Sequence, residues 1–334
     1  MTIDDLRRRL GALGALPCHQ ERLLRAWLHG KPLDAGPVPA EKFFPAALRA
    51  ALPALASELD SLARIDTEQQ DGNGTTRLLL ALARGLSAES VLLPRDGLCI
   101  STQVGCAVGC RFCMTGRDGL QRQLGSLEML AQVVLARRRR VVKKVVFMGM
   151  GEPAHNLDNV LEAIDLLGTL GGVGYKNLVF STVGDHRVFE RLPRERVRPA
   201  LALSLHSMFA ERRADLLLKA PRIDPAELVA LGERYARAVG YPIQYQWTVL
   251  DGVNDGDEEL EAIARLLAGK YAVMNFIPFN AIDGLPYRRP PTERLYAMSR
   301  FLQQRGIVAA LRQSAGQEID GGCGQLRARA LAAA

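Results

Sequence analysis

Over residues 1–62 apolar side chains recur every three or four positions: Leu6, Leu10 and Leu13, then Leu23, Leu24, Trp27 and Leu28, then Leu48, Leu52 and Leu55. That spacing predicts three helices, each with one apolar stripe, and the Gly and Pro residues between Lys31 and Pro39 mark the break before the third. From Thr75 the period changes. Two short apolar runs, 75–80 and 89–94, follow the turn signal Asp71-Gly72-Asn73-Gly74 and predict a hairpin or short meander. Beyond Leu98 strand-like and helix-like stretches alternate. Strands are expected at 98–101, 141–148, 177–181, 200–205, 243–250, 272–277 and 308–312, and helices at 126–136 (capped by Ser126), 157–170, 189–192, 225–239, 257–267 and 292–305. Such alternation predicts βα units, a parallel sheet and right-handed crossovers. Six units suit a partial (βα)6 TIM-like barrel better than a closed eight-stranded one, and residues just after the strands then line one rim, where α/β barrels carry their chemistry. The expected organisation is a helical accessory unit at 1–62, a β-rich linker or hairpin at 63–97, the barrel at 98–314, and a C-terminal segment at 315–334 whose Ala- and Arg-rich end frays.

Composition adds little to the fold and something to the function. A chain of 334 residues with 48% hydrophobic content can bury a large core. Its net charge of +7 admits a polyanionic partner without requiring one. The basic run Arg137 to Arg140 with Lys143 and Lys144 is either phosphate-binding material or a solvated helix end. The N-terminus lacks the apolar core of a signal peptide and no apolar run reaches membrane-spanning length, so a cytoplasmic protein without a membrane partner is expected. Six cysteines, four of them between Cys99 and Cys113, point to metal or redox chemistry in a reducing compartment rather than to a disulfide framework. Cys18 stands apart as a buried or idle thiol.

Cys106, Cys110 and Cys113 can converge on one metal centre, but three thiolates are one ligand short of a closed zinc site or a fully ligated iron–sulfur cluster. Zinc would need a fourth ligand, for which Cys99 is the local candidate. Gly151-Glu152-Pro153 follows a predicted strand; the glycine permits close backbone approach, and the carboxylate can accept a charge-assisted hydrogen bond.

A CxxxCxxC loop with Phe112 before its last cysteine resembles the signature of the radical S-adenosylmethionine (SAM) superfamily. Gly151-Glu152-Pro153 resembles its motif for the SAM amino group. Further segments match, in order, the RlmN/Cfr family of RNA adenine methyl synthases: 89–94, Cys99 with 103–106, 148–153 with 156–160, 181–184, 201–206, Asp251-Gly252-Val253-Asn254-Asp255, Phe276-Ile277-Pro278-Phe279-Asn280 and 319–326. The resemblance implies a [4Fe-4S] cluster on Cys106, Cys110 and Cys113, whose fourth iron chelates SAM, with Gly151, Glu152, Ser181, Ser204, Leu205, His206 and Asn280 contacting SAM. It implies two SAM molecules per turnover: one methylates Cys323, and the second, cleaved reductively, yields a 5′-deoxyadenosyl radical that takes a hydrogen from that methyl group. The carbon radical adds to an adenine ring carbon, and Cys99 removes the ring proton and pairs with Cys323 to release the base, with Glu89 as an acid–base group. The substrate implied is carbon 2 of an adenosine in 23S rRNA, with tRNA as a further target. Carbon 8 of the rRNA adenosine and a non-RNA substrate are the alternatives. A flavodoxin or ferredoxin system as electron donor and a monomeric state complete the expectation. One departure stands out: 217–221 reads Leu-Leu-Lys-Ala-Pro where relatives usually carry Val-Pro-Ile-Asn.

Overall fold

The chain opens on a reciprocal cap. Thr2 Oγ accepts from the Asp5 N–H at 3.0 Å while the Asp5 carboxylate accepts from the Thr2 N–H at 3.0 Å, starting helix Ile3–Ala12, which buries Ile3, Leu6 and Leu10. Helix Pro17–Leu28 starts on proline, which loses no needed N–H there, and buries Leu23, Leu24, Trp27 and Leu28. Helix Ala46–Ser61 buries Leu48, Leu55 and Leu59. The structure, a computed structural model, describes residues 2–72, 74–282, 284–312 and 324–333.

The strands in chain order are β1 (Arg64–Gln70), β2 (Thr76–Ala81), β3 (Ser87–Leu93), β4 (Gly97–Ile100), β5 (Gln103–Gly105), β6 (Leu120–Gln123), β7 (Lys144–Phe147), β8 (Leu178–Thr182), β9 (Ala200–Ser204), β10 (Ile243–Val249), β11 (Ala272–Pro278) and β12 (Ala309–Leu311). Among the described residues ten of them make one sheet in the order β1-β2-β3-β4-β7-β8-β9-β10-β11-β12, and β5 pairs with β6 apart from it. Pairing is antiparallel from β1 to β4 and parallel from β4 to β12. Helices Ser126–Arg137, Leu157–Thr169, His186–Arg191, Pro225–Val239, Asp257–Leu267 and Thr292–Gln304 follow the six strands β4 and β7 to β11. These are the six expected βα units, closed by β12 as a seventh parallel strand. The β-rich stretch before them is an antiparallel extension of the same sheet.

The main core lies between the outer face of this sheet and its helices. Strand β8, Leu-Val-Phe-Ser-Thr, is buried at every position, as a parallel strand covered on both faces must be. A second apolar cluster gathers Cys106, Val108, Val183, Leu216, Leu217 and Phe279 around the cysteine loop. No described helix is long and apolar enough to cross a membrane.

Three local features differ from the expectation. Gly125, not Ser126, occupies the cap of helix Ser126–Arg137; the Glu128 carboxylate accepts from its N–H at 2.9 Å, and the Ser126 hydroxyl donates to Glu162 instead. Cys18 is exposed rather than buried. The basic run after this helix is exposed at Arg138, Arg139 and Lys143 as a solvated helix end would be, but its guanidinium groups are engaged within the chain and join the helical unit to the barrel. Arg137 donates to the carbonyls of Leu28 (2.7 Å) and Gly171 (2.8 Å), Arg138 pairs with Asp60 at 2.8 Å, Arg139 with Glu68 at 3.0 Å, and Arg140 donates to the carbonyls of Gly74, Leu93 and Gly97. Lys143 pairs with Asp96. A planar guanidinium with several N–H groups suits this bridging, since one side chain can satisfy two or three carbonyls.

Candidate active site

Two motif segments fold onto each other at the strand-end rim. The loop after β7 lies along the segment after β4: Gly149 N–H donates to Ile100 O (3.0 Å), Met150 N–H to Ser101 Oγ (2.9 Å), Thr102 N–H to Met150 O (2.9 Å) and Glu152 N–H to Gln103 Oε1 (2.8 Å). Gly151 makes this approach possible. Its φ is +105°, and a Cβ there would stand 2.6 Å from Gln103 Cβ. Glu152 is thereby buried beside the cysteine loop, its Oε1 accepting from Ala154 N–H at 3.0 Å and its Oε2 from Val183 N–H at 2.9 Å. Burial raises its pKa against those donors, which lower it.

The cysteine loop is framed by the β5–β6 pair, where Cys106 N–H donates to Gly119 O at 3.0 Å, and is held from the other side by the segment after β9. Cys110 bridges Leu217, Arg111 N–H donates to Leu216 O at 3.0 Å, and Lys219 N–H donates to Val108 O at 2.9 Å. Cys106, Cys110 and Cys113 line one cavity of about 210 Å³ together with Gly151, Glu152, Ser181, Ser204 and His206. Burial is the main cause that pushes all three thiols upward, Cys106 to about 12 and Cys110 well above its ordinary value, with the neighbouring thiols adding to the shift on Cys110. A metal must therefore displace their protons on binding. Among the described residues no three His, Cys, Asp or Glu side chains are close enough to share a single metal ion. Three thiols on the wall of one cavity supply three ligands, one short of a closed tetrahedral zinc site.

His206 lines the same cavity from a strained position, with φ of +60°. Its Nδ1 accepts from Thr248 N–H at 2.9 Å, its carbonyl accepts from Asn254 Nδ2 at 2.8 Å, and its ring stands edge-on to Phe112 at 4.8 Å. An accepting Nδ1 puts the proton of the neutral ring on Nε2, and burial with the nearby Arg213 charge brings the pKa down to about 3. Asn254 also accepts from Leu250 N–H at 2.8 Å, so this residue of the Asp251–Asp255 motif ties the turn after β10 to His206.

A second cavity of about 330 Å³ adjoins the first across Phe112, Cys113, Met148, Gly149, Thr248 and Ile277. It holds Cys99, Glu89, Arg77 and Asn280 among the apolar side chains of Val91, Leu93 and Phe279. Cys99 sits opposite Val91 on β3 and Val146 on β7, and burial pushes its thiol up to about 12. Glu89 is fully engaged. Arg77 lies 3.3 Å from its Oε2, Gly324 N–H donates to the same oxygen at 3.1 Å, and Arg327 N–H donates to Oε1 at 2.8 Å. The carboxylate thus caps helix Gln325–Ala333, which is further docked by Arg327 on Gln121 and Gln325 on Ala281 O. Gly324 presses on Thr115, where a Cβ would stand 2.8 Å from its hydroxyl.

Of the residues singled out in the sequence, Cys106, Cys110, Cys113, Gly151, Glu152, Ser181, Ser204 and His206 share one cavity, and Glu89, Cys99 and Asn280 line the other. Leu205 lies in the core, its N–H donating to Gln246 O at 3.1 Å, and lines neither. Cys323 lies outside the described residues. Arg77, Thr248 and Arg213 carry no motif signal; their places come only from the fold.

The profile of the radical SAM superfamily matches residues 100–267. The chain is 68% identical to a probable RNA methyltransferase of Aromatoleum aromaticum over 332 residues, covering 99% of this chain and 94% of that one. It is 65% identical to a probable RNA methyltransferase of Pseudomonas aeruginosa, covering 99% and 96%. The crystal structure of a radical SAM methyltransferase from Sphaerobacter thermophilus superposes with a TM-score of 0.84 at 35% identity, over 97% of each chain. With that profile over half its length, relatives this similar end to end and a three-thiol loop facing a buried Gly-Glu motif, the chain belongs to the radical SAM superfamily and, within it, to the RlmN/Cfr family.

Proposed function

We propose that the chain is a cytoplasmic RNA methyltransferase that delivers a methyl group through Cys323 to carbon 2 of an adenosine in 23S rRNA, with tRNA as a further substrate. The observation that carries this reading is the pair of adjoining cavities, one with the three thiols and the other with Cys99 and Glu89 among apolar walls. Relatives named as probable RNA methyltransferases support the substrate class. A [4Fe-4S] cluster on Cys106, Cys110 and Cys113, with two SAM molecules used per methyl transferred, supplies the one-electron chemistry that activates an otherwise inert C–H bond.

The chain's own residues do the rest. The Glu152 oxygens accept one backbone N–H each and the carboxylate takes a third bond from the Thr182 hydroxyl, which leaves lone-pair capacity for an ammonium group, while Gly151 lets that group approach the backbone. Ser181 and Ser204 offer hydroxyls, His206 an Nε2–H, and Asn280 an amide at the neighbouring cavity. The apolar walls of the second cavity suit the flat face of a purine and exclude water from a reactive carbon. Cys99 takes the ring proton, the adduct's odd electron passing to the electron-transfer partner, and once deprotonated its thiolate attacks the Cys323 sulfur: the S–S bond forms as the sulfur–methylene bond breaks, and the electron pair goes to the carbon, which takes up a proton as the methylated base leaves. Glu89 assists proton movement once its present donors are exchanged for substrate. A flavodoxin or ferredoxin supplies the electron, and the chain acts as a monomer.

Anaerobic reconstitution with iron, sulfide, SAM, a reductant and either rRNA fragments or tRNA, followed by nucleoside mass spectrometry, tests the reading. The expected product is 2-methyladenosine. An 8-methyladenosine product would move the site of attack, and unmodified RNA with SAM consumed would remove RNA as substrate.

A further inference from the structure

Arg213 is 3% exposed, sits on helix Ala210–Leu216 directly before the segment that grips the cysteine loop, and forms no ion pair among the described residues. Its guanidinium donates to the carbonyls of Val183 and, at 3.3 Å, Ser204, two residues that line the three-thiol cavity from behind. Its Nε has no partner among the described residues. Val183 is the link between opposite charges, since its carbonyl accepts from Arg213 and its N–H donates to the Glu152 carboxylate. One turn on, Leu217 N–H donates to Arg213 O and Leu217 bridges Cys110. Burial lowers the Arg213 pKa to about 10, and the two groups that counter this are Cys110 and Glu152.

A buried cation held by carbonyl dipoles is costly unless anions stand opposite, and Glu152, linked through Val183, supplies one of them. The cavity it backs is where anions gather when the three thiols bind iron as thiolates. We propose that Arg213 is the buried counter-cation of this centre, a positioning residue that raises the reduction potential of the cluster the three cysteines hold. The inference rests on the cluster reading of the previous subsection. The sign follows from Coulomb's law: the added electron gains attraction from a fixed positive charge, and low local dielectric leaves that attraction poorly screened.

The test uses the full chain, reconstituted anaerobically with iron and sulfide, as wild type, R213K and R213Q, with iron content, circular dichroism and the midpoint potential from an EPR-monitored redox titration. R213K keeps the charge and loses the forked donor, whereas R213Q keeps an amide donor and loses the charge. The expected result is a reduction equilibrium shifted at least about tenfold toward the oxidised cluster in R213Q, about 59 mV for one electron, and within about threefold of wild type in R213K. Failure of folded R213Q to retain iron, with R213K loaded and near the wild-type potential, supports the same conclusion. Equal potentials in all three proteins, equal shifts in both variants, or loss of iron from both in a folded chain would overturn it in favour of a purely structural tether. A wild-type chain that binds no iron would overturn the cluster reading itself.

Discussion

The two cavities share a wall but are made differently. Around the three thiols the polar groups are already fixed by backbone partners: both Glu152 oxygens accept N–H groups, His206 Nδ1 accepts from Thr248, and the cysteine loop is pinned by residues 216–219. Around Cys99 the walls are mostly apolar, and the buried ion pair of Arg77 and Glu89 is committed to the N-terminus of the last described helix. The first cavity is rigid because its ligands must be placed before anything binds. The second contains a group whose partners must change if substrate is to reach it. On the function proposed above, this contrast is a division of labour in which one side makes a reactive species and the other receives it.

The sharpest test of that division is to remove one cysteine from each side. Cys110→Ser should abolish cluster binding, taking iron from about four per chain to near zero and turnover with it. Cys99→Ala should leave iron and colour intact while lowering product by at least about a thousandfold, and should accumulate a covalent protein–RNA species visible on a denaturing gel. Loss of iron from Cys99→Ala would merge the two cavities into one functional unit. Glu89→Gln comes next in size. Weakening a buried charge-assisted cap costs about 1–3 kcal/mol, so amide exchange at residues 324–330 should speed by about tenfold or more while the amides of 108–119 keep their protection. Equal loosening of both stretches would contradict the separation.

The smallest effect is a pH dependence on the rigid side. His206 has its pKa lowered from 6.5 to about 3, so between those values the unfolded chain binds the proton and the folded chain does not. Its contribution to stability is complete above pH 6.5 and is lost as pH falls, by up to about 1.4 kcal/mol per pH unit. Urea titrations of the metal-free chain at pH 7.5, 6 and 5 should show a steeper decline in wild type than in His206→Gln. Parallel declines would mean that the ring is protonated in the folded state.

Much of this was legible because the chemistry is written in contiguous segments. Three cysteines in eight residues and Gly151-Glu152-Pro153 after an apolar run announce themselves, and the switch from helical to strand period at Thr75 marks the second strand of a sheet that begins at Arg64. What stayed hidden depends on partners distant in sequence. The β5–β6 pair is only three or four residues per strand, too short for a period of two to show. Helix Ala210–Leu216 is seven residues long, and its grip on the cysteine loop is made by backbone groups, which leave no trace in side-chain pattern. Arg213 reads locally as one more surface arginine, and only the fold turns it inward. Glu89 looked like an acid at the start of a strand; that it caps a helix more than 230 positions away could not be read from either end.

The run Arg137–Arg140 bears on how freely this architecture can be shuffled. Its four guanidinium groups reach Leu28, Asp60, Glu68 and Gly74 in the N-terminal third and Gly171 within the barrel, so the end of the barrel's first helix carries one half of each joint to the N-terminal unit. A hybrid enzyme that takes residues 1–70 from a relative inherits those arginines without their matched acids and carbonyls. Swapping the N-terminal helical unit between members of the family therefore means transplanting the rivets with the plates.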